Sequence, residues 1–146
     1  MSISSAIVYI IDDDASVRRA FKRLINSAGI KAEMFESVSK FLAWDKIALN
    51  ECCIVADLRM RESTGMDLHR ELAKRGVEVP LIFVTGHDSE ESRNEAKALG
   101  AAAYFRKPVD DQALLDAIDL ALEFAVSSRE LSGNCGHFRV VSTWKG

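Results

Sequence analysis

The chain has 146 residues, of which 48% are hydrophobic and 28% are charged, and its formal net charge is −3. This length suits one domain with its own core, and the composition excludes an intrinsically disordered chain. The small negative charge gives no electrostatic case for nucleic-acid binding, and no apolar stretch approaches the length of a membrane span.

The first part of the chain predicts two strand–helix units. An apolar run over 6–11 predicts a strand, and apolar residues at helical spacing predict a helix over 16–28. Alternating residues over 31–35 then predict a short strand. Ser37 is suited to cap a short helix over 37–44.

Three further units follow. Two continuous apolar runs, 52–56 and 81–85, are typical of strands that are covered on both faces. Either Asp88 or Ser89 is suited to cap the helix that comes after the second run. The other predicted elements are a strand over 102–105 and helices over 65–76, 89–100 and 110–126.

Five strand–helix units in succession imply a parallel sheet with helices on both faces. We therefore predict an α/β domain over residues 1–126, a doubly wound (βα)5 parallel five-stranded sheet in the order 2-1-3-4-5. Residues 127–146 are rich in Ser and Gly and too short for a second domain. We expect them to form a tail, linker or remnant without a fold of its own.

Carboxylates follow two strands that this order makes neighbours. Asp12 and Asp13 come directly after the first strand, and Asp57 directly after the third. Ligands of such sheets bind at the carboxyl ends of the strands, so the three carboxylates should converge. A hard divalent cation such as Mg²⁺ would relieve their repulsion. Asp14 would instead face away from the other carboxylates or begin the first helix, where a negative charge favours the helix dipole.

Two other strand ends add a hydroxyl and an ammonium group. Thr85 ends the fourth strand, and Lys107 follows the fifth. A cation and a lysine can neutralise phosphoryl oxygens, a hydroxyl can donate a hydrogen bond to one of them, and a carboxylate can attack phosphorus. The set therefore indicates a phosphoryl-transfer site.

Four motifs in chain order carry a family resemblance: IDDD after the first strand, DLRM after the third, TGH after the fourth and KP after the fifth. With these motifs, residues 5–126 resemble the receiver domain of two-component response regulators. VTGH, DLRM and GAAAYFRKP most resemble the subgroup joined to helix-turn-helix output domains. The resemblance implies a flavodoxin-like fold and a role in phosphorelay signalling and transcription regulation.

The resemblance assigns roles to the acidic residues. Asp57 would accept a phosphoryl group from a histidine kinase or a phosphotransfer protein. Asp12, Asp13, Asp57 and the backbone carbonyl of Arg59 would hold Mg²⁺ or Mn²⁺, with Asp12 acting through a bound water. The protein would be a signalling phosphoacceptor that catalyses its own phosphotransfer and dephosphorylation, rather than an enzyme with a separate substrate.

The resemblance also assigns a switch. Thr85 and Lys107 would bind phosphoryl oxygens, and Tyr104 would follow the Thr85 side chain inward. The Lys107–Pro108 peptide would be cis. The switch would reshape the face made by the fourth helix, the fifth strand and the fifth helix, which in the resembled family controls an output domain or partner.

One position departs from the resembled pattern, since Arg61 stands where the family usually has proline. This substitution removes no catalytic group, but it leaves open the conformation of the loop that carries the Arg59 carbonyl. Arg59 and His87 lie two residues beyond Asp57 and Thr85. We hypothesise that they tune the dephosphorylation rate; the alternative is that they are solvent-exposed rim residues.

The fifth predicted helix has apolar residues on two flanks. The flank expected to pack on the sheet consists of Leu114, Leu115, Ile118, Leu122 and Ala125. The second flank consists of Ala113, Ala117, Leu120 and Phe124. Exposure of Leu120 and Phe124 would be costly, so we expect a cover for them. That cover is the C-terminal tail or a partner, either an output domain or a second receiver in a homodimer formed on phosphorylation.

Other functions of this architecture fit the residues less well. A flavin-binding module needs a phosphate cradle after the first strand, where three aspartates would repel phosphate. A phosphatase with an aspartate nucleophile would want a second acid two residues after Asp57, which is the place of Arg59. A receiver-like interaction module that no longer cycles phosphate stays open as the alternative.

The cysteines and the N-terminal sequence indicate the cellular compartment in which the protein is expected. Cys52 and Cys53 are adjacent, and Cys135 makes an odd count, which suits neither a disulfide framework nor a zinc site. The N-terminus lacks the basic-then-apolar pattern of a signal peptide. We expect a reduced, cytoplasmic protein that itself binds neither nucleic acid nor membranes.

Overall fold

The computed structural model describes residues 6–44 and 51–131, and for residues 124–131 it describes the backbone alone. Five strands alternate with five helices in this part of the chain. The strands are β1 (Ile7–Ile11), β2 (Lys31–Phe35), β3 (Cys52–Asp57), β4 (Leu81–Thr85) and β5 (Ala103–Arg106). The helices are α1 (Ala15–Ser27), α2 (Val38–Leu42), α3 (Gly65–Lys74), α4 (Glu90–Ala98) and α5 (Asp111–Leu131).

The strands form one parallel sheet in the order β2-β1-β3-β4-β5, which confirms the predicted topology. Strand order reverses between β1 and β3, which pair directly, with Ile11 opposite Ala56. In such a sheet the crevice at the reversal, beyond the carboxyl ends of the strands, is the natural ligand site.

Side chains that alternate along the central strands fill two cores, one on each face of the sheet. Val8 and Ile10 pack in the core that contains Ile25 of α1 and Ile118 of α5. The opposite core contains Tyr9, Ile11 and Phe83, together with Phe41 of α2, Leu68 of α3 and Ala96 of α4. Every residue of β1, β3 and β4 is buried, as the continuous apolar runs predict.

Polar side chains fix where the helices begin. The Asp14 side chain accepts hydrogen bonds from the backbone N–H groups of Ser16 and Val17 and so caps α1. The helix begins at Ala15, one residue earlier than the predicted start at residue 16. Ser37 caps α2 as predicted. Of the two candidates for α4, Ser89 is the cap. These caps hold the loops at the carboxyl edge of the sheet in defined positions.

Helix α5 differs from its prediction in two respects. It continues to Leu131 rather than 126, because residues 127–131 contain neither glycine nor proline to end it. Ala117, which we placed on the outer flank, is buried, because α5 packs with a broad stripe that also takes in Ala121. Leu120 is 39% exposed, as expected of the outer flank.

Two earlier expectations fall outside the description of the chain. The Phe124 side chain and residues 132–146 lie outside the described residues, so the expected apolar flank and tail stay predictions there. Across residues 6–44 and 51–131, none of the helices has both the length and the apolar character needed to cross a bilayer.

A steric constraint at the start of α3 gives a stability prediction. A Cβ atom on Gly65 would lie 2.5 Å from Phe83 Cε1 and 2.9 Å from Leu58 Cδ1. We expect Gly65→Ala to lower the free energy of unfolding by about 1–3 kcal/mol in urea titrations, because the buried ring must shift. Gly86→Ala is the matched control, since its Cβ would meet nothing within 4 Å. Equal stability of the two variants would contradict the packing described here.

Candidate functional site

The parallel register brings the predicted site residues to one edge of the sheet. Asp12 follows β1, and Asp57 ends the neighbouring strand β3. Thr85 ends β4, which lies beside β3. The Lys107 backbone N–H donates to the Thr85 carbonyl oxygen at 2.8 Å, which extends the β4–β5 ladder past the end of β5. The Lys107–Pro108 peptide is cis, as predicted.

One ammonium group joins two of the carboxylates. Lys107 Nζ donates to Asp12 Oδ2 and to Asp57 Oδ2, each at 2.9 Å. The Asp12 side chain is 1% exposed and that of Lys107 is 21% exposed. The three groups therefore form a partly desolvated ion cluster with one cation for two carboxylates, so loss of Lys107 would leave both carboxylates without their shared cation.

Burial and pairing act in opposite directions on these groups. Burial raises the pKa of Asp12, despite the hydrogen bonds from the Asp14 N–H and from Lys107. For Lys107 burial favours the neutral amine, but the bonds and charges of Asp12 and Asp57 outweigh it and raise its pKa. Lys107 is thus held as a cation at neutral pH, whereas ionised Asp12 is held at an energetic cost.

The carboxylates also form a group of suitable size for a metal ion. Oxygen atoms of Asp12, Asp13 and Asp57 lie within 4.8 Å of one another. Hard oxygen donors are the ligands that Mg²⁺ prefers, so the residues present fit this ion. The Arg59 backbone N–H donates to Asp57 Oδ1 at 3.0 Å, which holds the Asp57 carboxylate against the first residues of the β3–α3 loop.

Comparisons with known proteins show the family to which the chain belongs. The family model for the response regulator receiver domain matches residues 8–119, and the chain belongs to that family. This confirms the resemblance and the signalling role that the four motifs predict. A receiver domain is a module of two-component signalling.

Three relatives illustrate the match. Response regulator protein TodT of Pseudomonas putida is 37% identical over 130 residues, which are 88% of this chain and 56% of TodT. Transcriptional regulatory protein TdiR of Thauera aromatica is 35% identical over 119 residues, which are 82% of this chain and 52% of TdiR. The chain thus spans about half the length of these relatives.

The third is a solved structure, a response regulator receiver protein from Burkholderia phymatum. It is 38% identical to this chain with a TM-score of 0.71, and the match covers 82% of this chain and 96% of that one. The fold described here is therefore shared, over most of its length, with a solved receiver structure.

The two proposed switch residues are held by different partners. Thr85 is fully buried, and its Oγ1 accepts a hydrogen bond from the His87 N–H at 3.0 Å. The Tyr104 hydroxyl donates to Asp88 Oδ1 at 2.9 Å. Arg93 binds the same carboxylate through Nε at 3.0 Å and Nη2 at 2.8 Å.

These contacts explain the pKa values of the second group. Hydrogen bonds from Arg93 and then from Tyr104 lower the pKa of Asp88. Burial, reinforced by the bond to Asp88, raises the pKa of Tyr104. Asp88 was predicted only as a possible helix cap, so its role as the partner of Tyr104 was missed. The five-residue spacing of Asp88 and Arg93 matches no helical pairing pattern that would have revealed it.

The rate-tuning candidates differ from each other. His87 is exposed. The Arg59 side chain, also exposed, crosses to α4, where Nη2 donates to Ser92 Oγ at 3.2 Å and lies 3.5 Å from Glu95 Oε1. Ser92 is fully buried, so Arg59 is anchored at one end rather than being freely solvated.

The cost of ionised Asp12 gives a pH-dependent prediction. A raised folded-state pKa means that Asp12 opposes folding when ionised and ceases to do so as the pH falls through that pKa. In metal-free buffer we expect Asp12→Asn to raise the free energy of unfolding at neutral pH by about 1 kcal/mol. The gain should shrink as the pH falls through the raised pKa of Asp12, because the wild-type carboxyl is then protonated.

Urea titrations across this pH range test the prediction, with Asp14→Asn as control. The Asp14 side chain is an exposed helix cap, a role that asparagine fills equally well. A loss of stability in Asp12→Asn at neutral pH would mean that the bond to Lys107 outweighs burial.

Proposed function

We propose that Asp57 accepts a phosphoryl group from a histidine kinase or phosphotransfer protein in a Mg²⁺-dependent reaction. The observation that carries the proposal is the Lys107 ammonium between Asp12 and Asp57, at 2.9 Å from each. It places a cation where the oxygens of a phosphoryl group on Asp57 would lie. Membership of the receiver family supports the same assignment.

In this proposal the chain positions the reacting groups and neutralises the charge of the phosphoryl oxygens. Phosphoryl transfer needs little else from a protein. Asp12, Asp13, Asp57 and the Arg59 carbonyl would hold the metal, with Asp12 acting through water. The bound ion would supply positive charge to the phosphoryl oxygens. An Asp57 oxygen bonds to phosphorus, while the bond from phosphorus to the donor nitrogen breaks and that nitrogen keeps the electron pair.

The switch follows from the added charge, which is close to −2. Thr85 would give up the hydrogen bond that it accepts from the His87 N–H. Its own hydroxyl would then donate a hydrogen bond to the phosphoryl group. The Tyr104 side chain would break its hydrogen bond to Asp88 and fill the space that Thr85 leaves. We propose that these moves select a second packing of the α4–β5–α5 face, where Leu120 and Phe124 are candidates for partner contact.

The partners follow from the same face. We propose that it controls an output domain, with a homodimer formed on phosphorylation as one route, and that the natural process is transcription regulation in the cytoplasm. The name of TdiR describes such a regulator. The receiver itself would bind neither nucleic acid nor membranes. The alternative, a phosphate-independent interaction module, remains an outcome of the first test below.

The first test is the intact-protein mass after incubation with a small acyl phosphate and Mg²⁺. We expect one phosphoryl adduct in the wild type and in the control Asp116→Asn, an exposed aspartate on α5. Asp57→Asn should form no adduct because the nucleophile is gone. Asp13→Asn should form it about tenfold or more slowly at low Mg²⁺, with partial rescue at high Mg²⁺.

An unmodified but folded wild type would refute the proposal and favour the phosphate-independent module. An adduct that persists in Asp57→Asn would refute Asp57 as the acceptor. An adduct that forms equally well in the presence of a chelator would refute the role of the metal.

The second test addresses dephosphorylation, which we propose the domain itself catalyses. We propose that Arg59 and His87 border the path of water to Asp57, and we expect Arg59→Ala and His87→Ala each to change the lifetime of the phosphorylated form by about two- to fivefold. For Arg59 the expected change is a shorter lifetime, because its side chain spans the loop and α4 beside that path. Decay of the adduct in the mass spectrum measures it.

Arg70→Ala is the matched control, since it removes an exposed arginine of α3 whose Nη1 lies 3.4 Å from Asp67 Oδ1. Its adduct should decay at the wild-type rate. Lifetimes that are the same in all four proteins would show that Arg59 and His87 are rim residues without a kinetic role.

A further inference from the structure

The Asp13 carboxylate is bound by a residue that follows β3 by four positions. The Arg61 backbone N–H donates to Asp13 Oδ2 at 2.9 Å. The Nε atom of the same residue lies 3.5 Å from the same oxygen. A backbone donor and a side-chain cation of Arg61 therefore converge on one carboxylate oxygen.

This contact completes a pattern in the site. Lys107 pairs with Asp12 and Asp57, and Arg61 pairs with Asp13. Each of the three carboxylates that could hold a metal ion thus has a cationic side chain of the protein against it. An oxygen that already accepts a strong N–H bond is a poorer metal ligand, because that bond must be weakened or lost when the ion is coordinated.

The loop that carries Arg61 is a short excursion with a closed base. The Gly65 N–H donates to the Leu58 carbonyl at 2.9 Å, and the Met60 N–H donates to the Ser63 carbonyl at 3.0 Å. Arg61 and Glu62 form the tip of the loop, between Met60 and Ser63. The Arg61 side chain is 81% exposed, so it can move without unpacking the core.

The surroundings also offer Arg61 a second position. A cleft of about 340 Å³ opens beside Asp13 and is lined by Glu36 and Glu62 as well as by Arg61 itself. Lys40 and Arg18 also line the cleft, and Lys40 lies 3.0 Å from Glu36. Glu62 is therefore the carboxylate that a guanidinium group displaced from Asp13 would find there. The exchange therefore moves a cation between acidic neighbours rather than into an uncompensated environment.

We propose that Arg61 is an internal competitor for the cation site, so that Mg²⁺ binding displaces it from Asp13 and the residue sets the affinity for the metal. The inference rests on the proposed function, since it takes Asp13 as a metal ligand. It identifies a residue that determines metal affinity without itself being a ligand.

The two contacts of Arg61 can be separated by substitution. Arg61→Ala removes the guanidinium and keeps the N–H, whereas Arg61→Pro removes both. Exposed ion pairs are weak, so we expect Arg61→Ala to tighten Mg²⁺ binding by about two- to fivefold. The further loss of the N–H bond in Arg61→Pro should tighten it again by a similar factor.

Isothermal titration of the full chain with MgCl2 measures these affinities without any phosphodonor. Arg70→Ala removes the same charge from the exposed face of α3 and should bind Mg²⁺ as the wild type does. The advantage of Arg61→Ala should shrink at high salt, where the exposed pair is screened. In an Asp13→Asn background, Arg61→Ala should no longer tighten binding.

The outcomes separate this inference from the proposed function. Wild-type affinity in both Arg61→Ala and Arg61→Pro, with weaker binding in Asp13→Asn, would overturn the competition and leave the metal site standing. Equal tightening in Arg61→Ala and Arg70→Ala would also overturn it, because net charge alone would explain the effect. A folded wild type that binds no Mg²⁺ would overturn the metal role of the proposed function and this inference with it.

Discussion

The bonds from Lys107 to Asp12 and Asp57 are the interaction on which the arrangement of the site depends. Carboxylates grouped at a buried edge repel one another and lose the solvation that water would give them. A single ammonium group, 2.9 Å from each of two carboxylates, makes their proximity tolerable. The lysine and Asp12 are 95 residues apart in sequence, and the parallel sheet is what brings them together.

The sheet does this by placing strands from distant parts of the chain side by side with their carboxyl ends aligned. β1 and β3 lie next to each other at the reversal of strand order, and β4 and β5 extend the same edge. The buried central strands are fixed by packing on both faces. The loops above them can therefore differ in sequence, as the one with Arg61 does, without altering the positions of Asp57 or Lys107.

The fold and the centre of the site could be predicted because both depend on patterns within short segments. Continuous apolar runs revealed the buried strands, and the polar residue after each run marked a strand end. Asp88 with Tyr104, Arg59 with Ser92, and Arg61 with Asp13 could not be predicted, because these contacts join loops to distant elements and leave no periodic trace. Ala117 was misplaced for a related reason, since a small side chain at the border of a helix stripe can fall on either side of it.

The position of Lys107 in the last strand–helix unit affects the order in which the site is assembled during synthesis and folding. During synthesis, the acidic residues of β1 and β3 leave the ribosome well before the lysine that neutralises them. A chain that has not yet added β5 holds an aspartate cluster with no ammonium beside it, and non-local pairing of this kind forms late. The addition of β5 to the sheet is thus also the step that brings the shared cation to the two carboxylates.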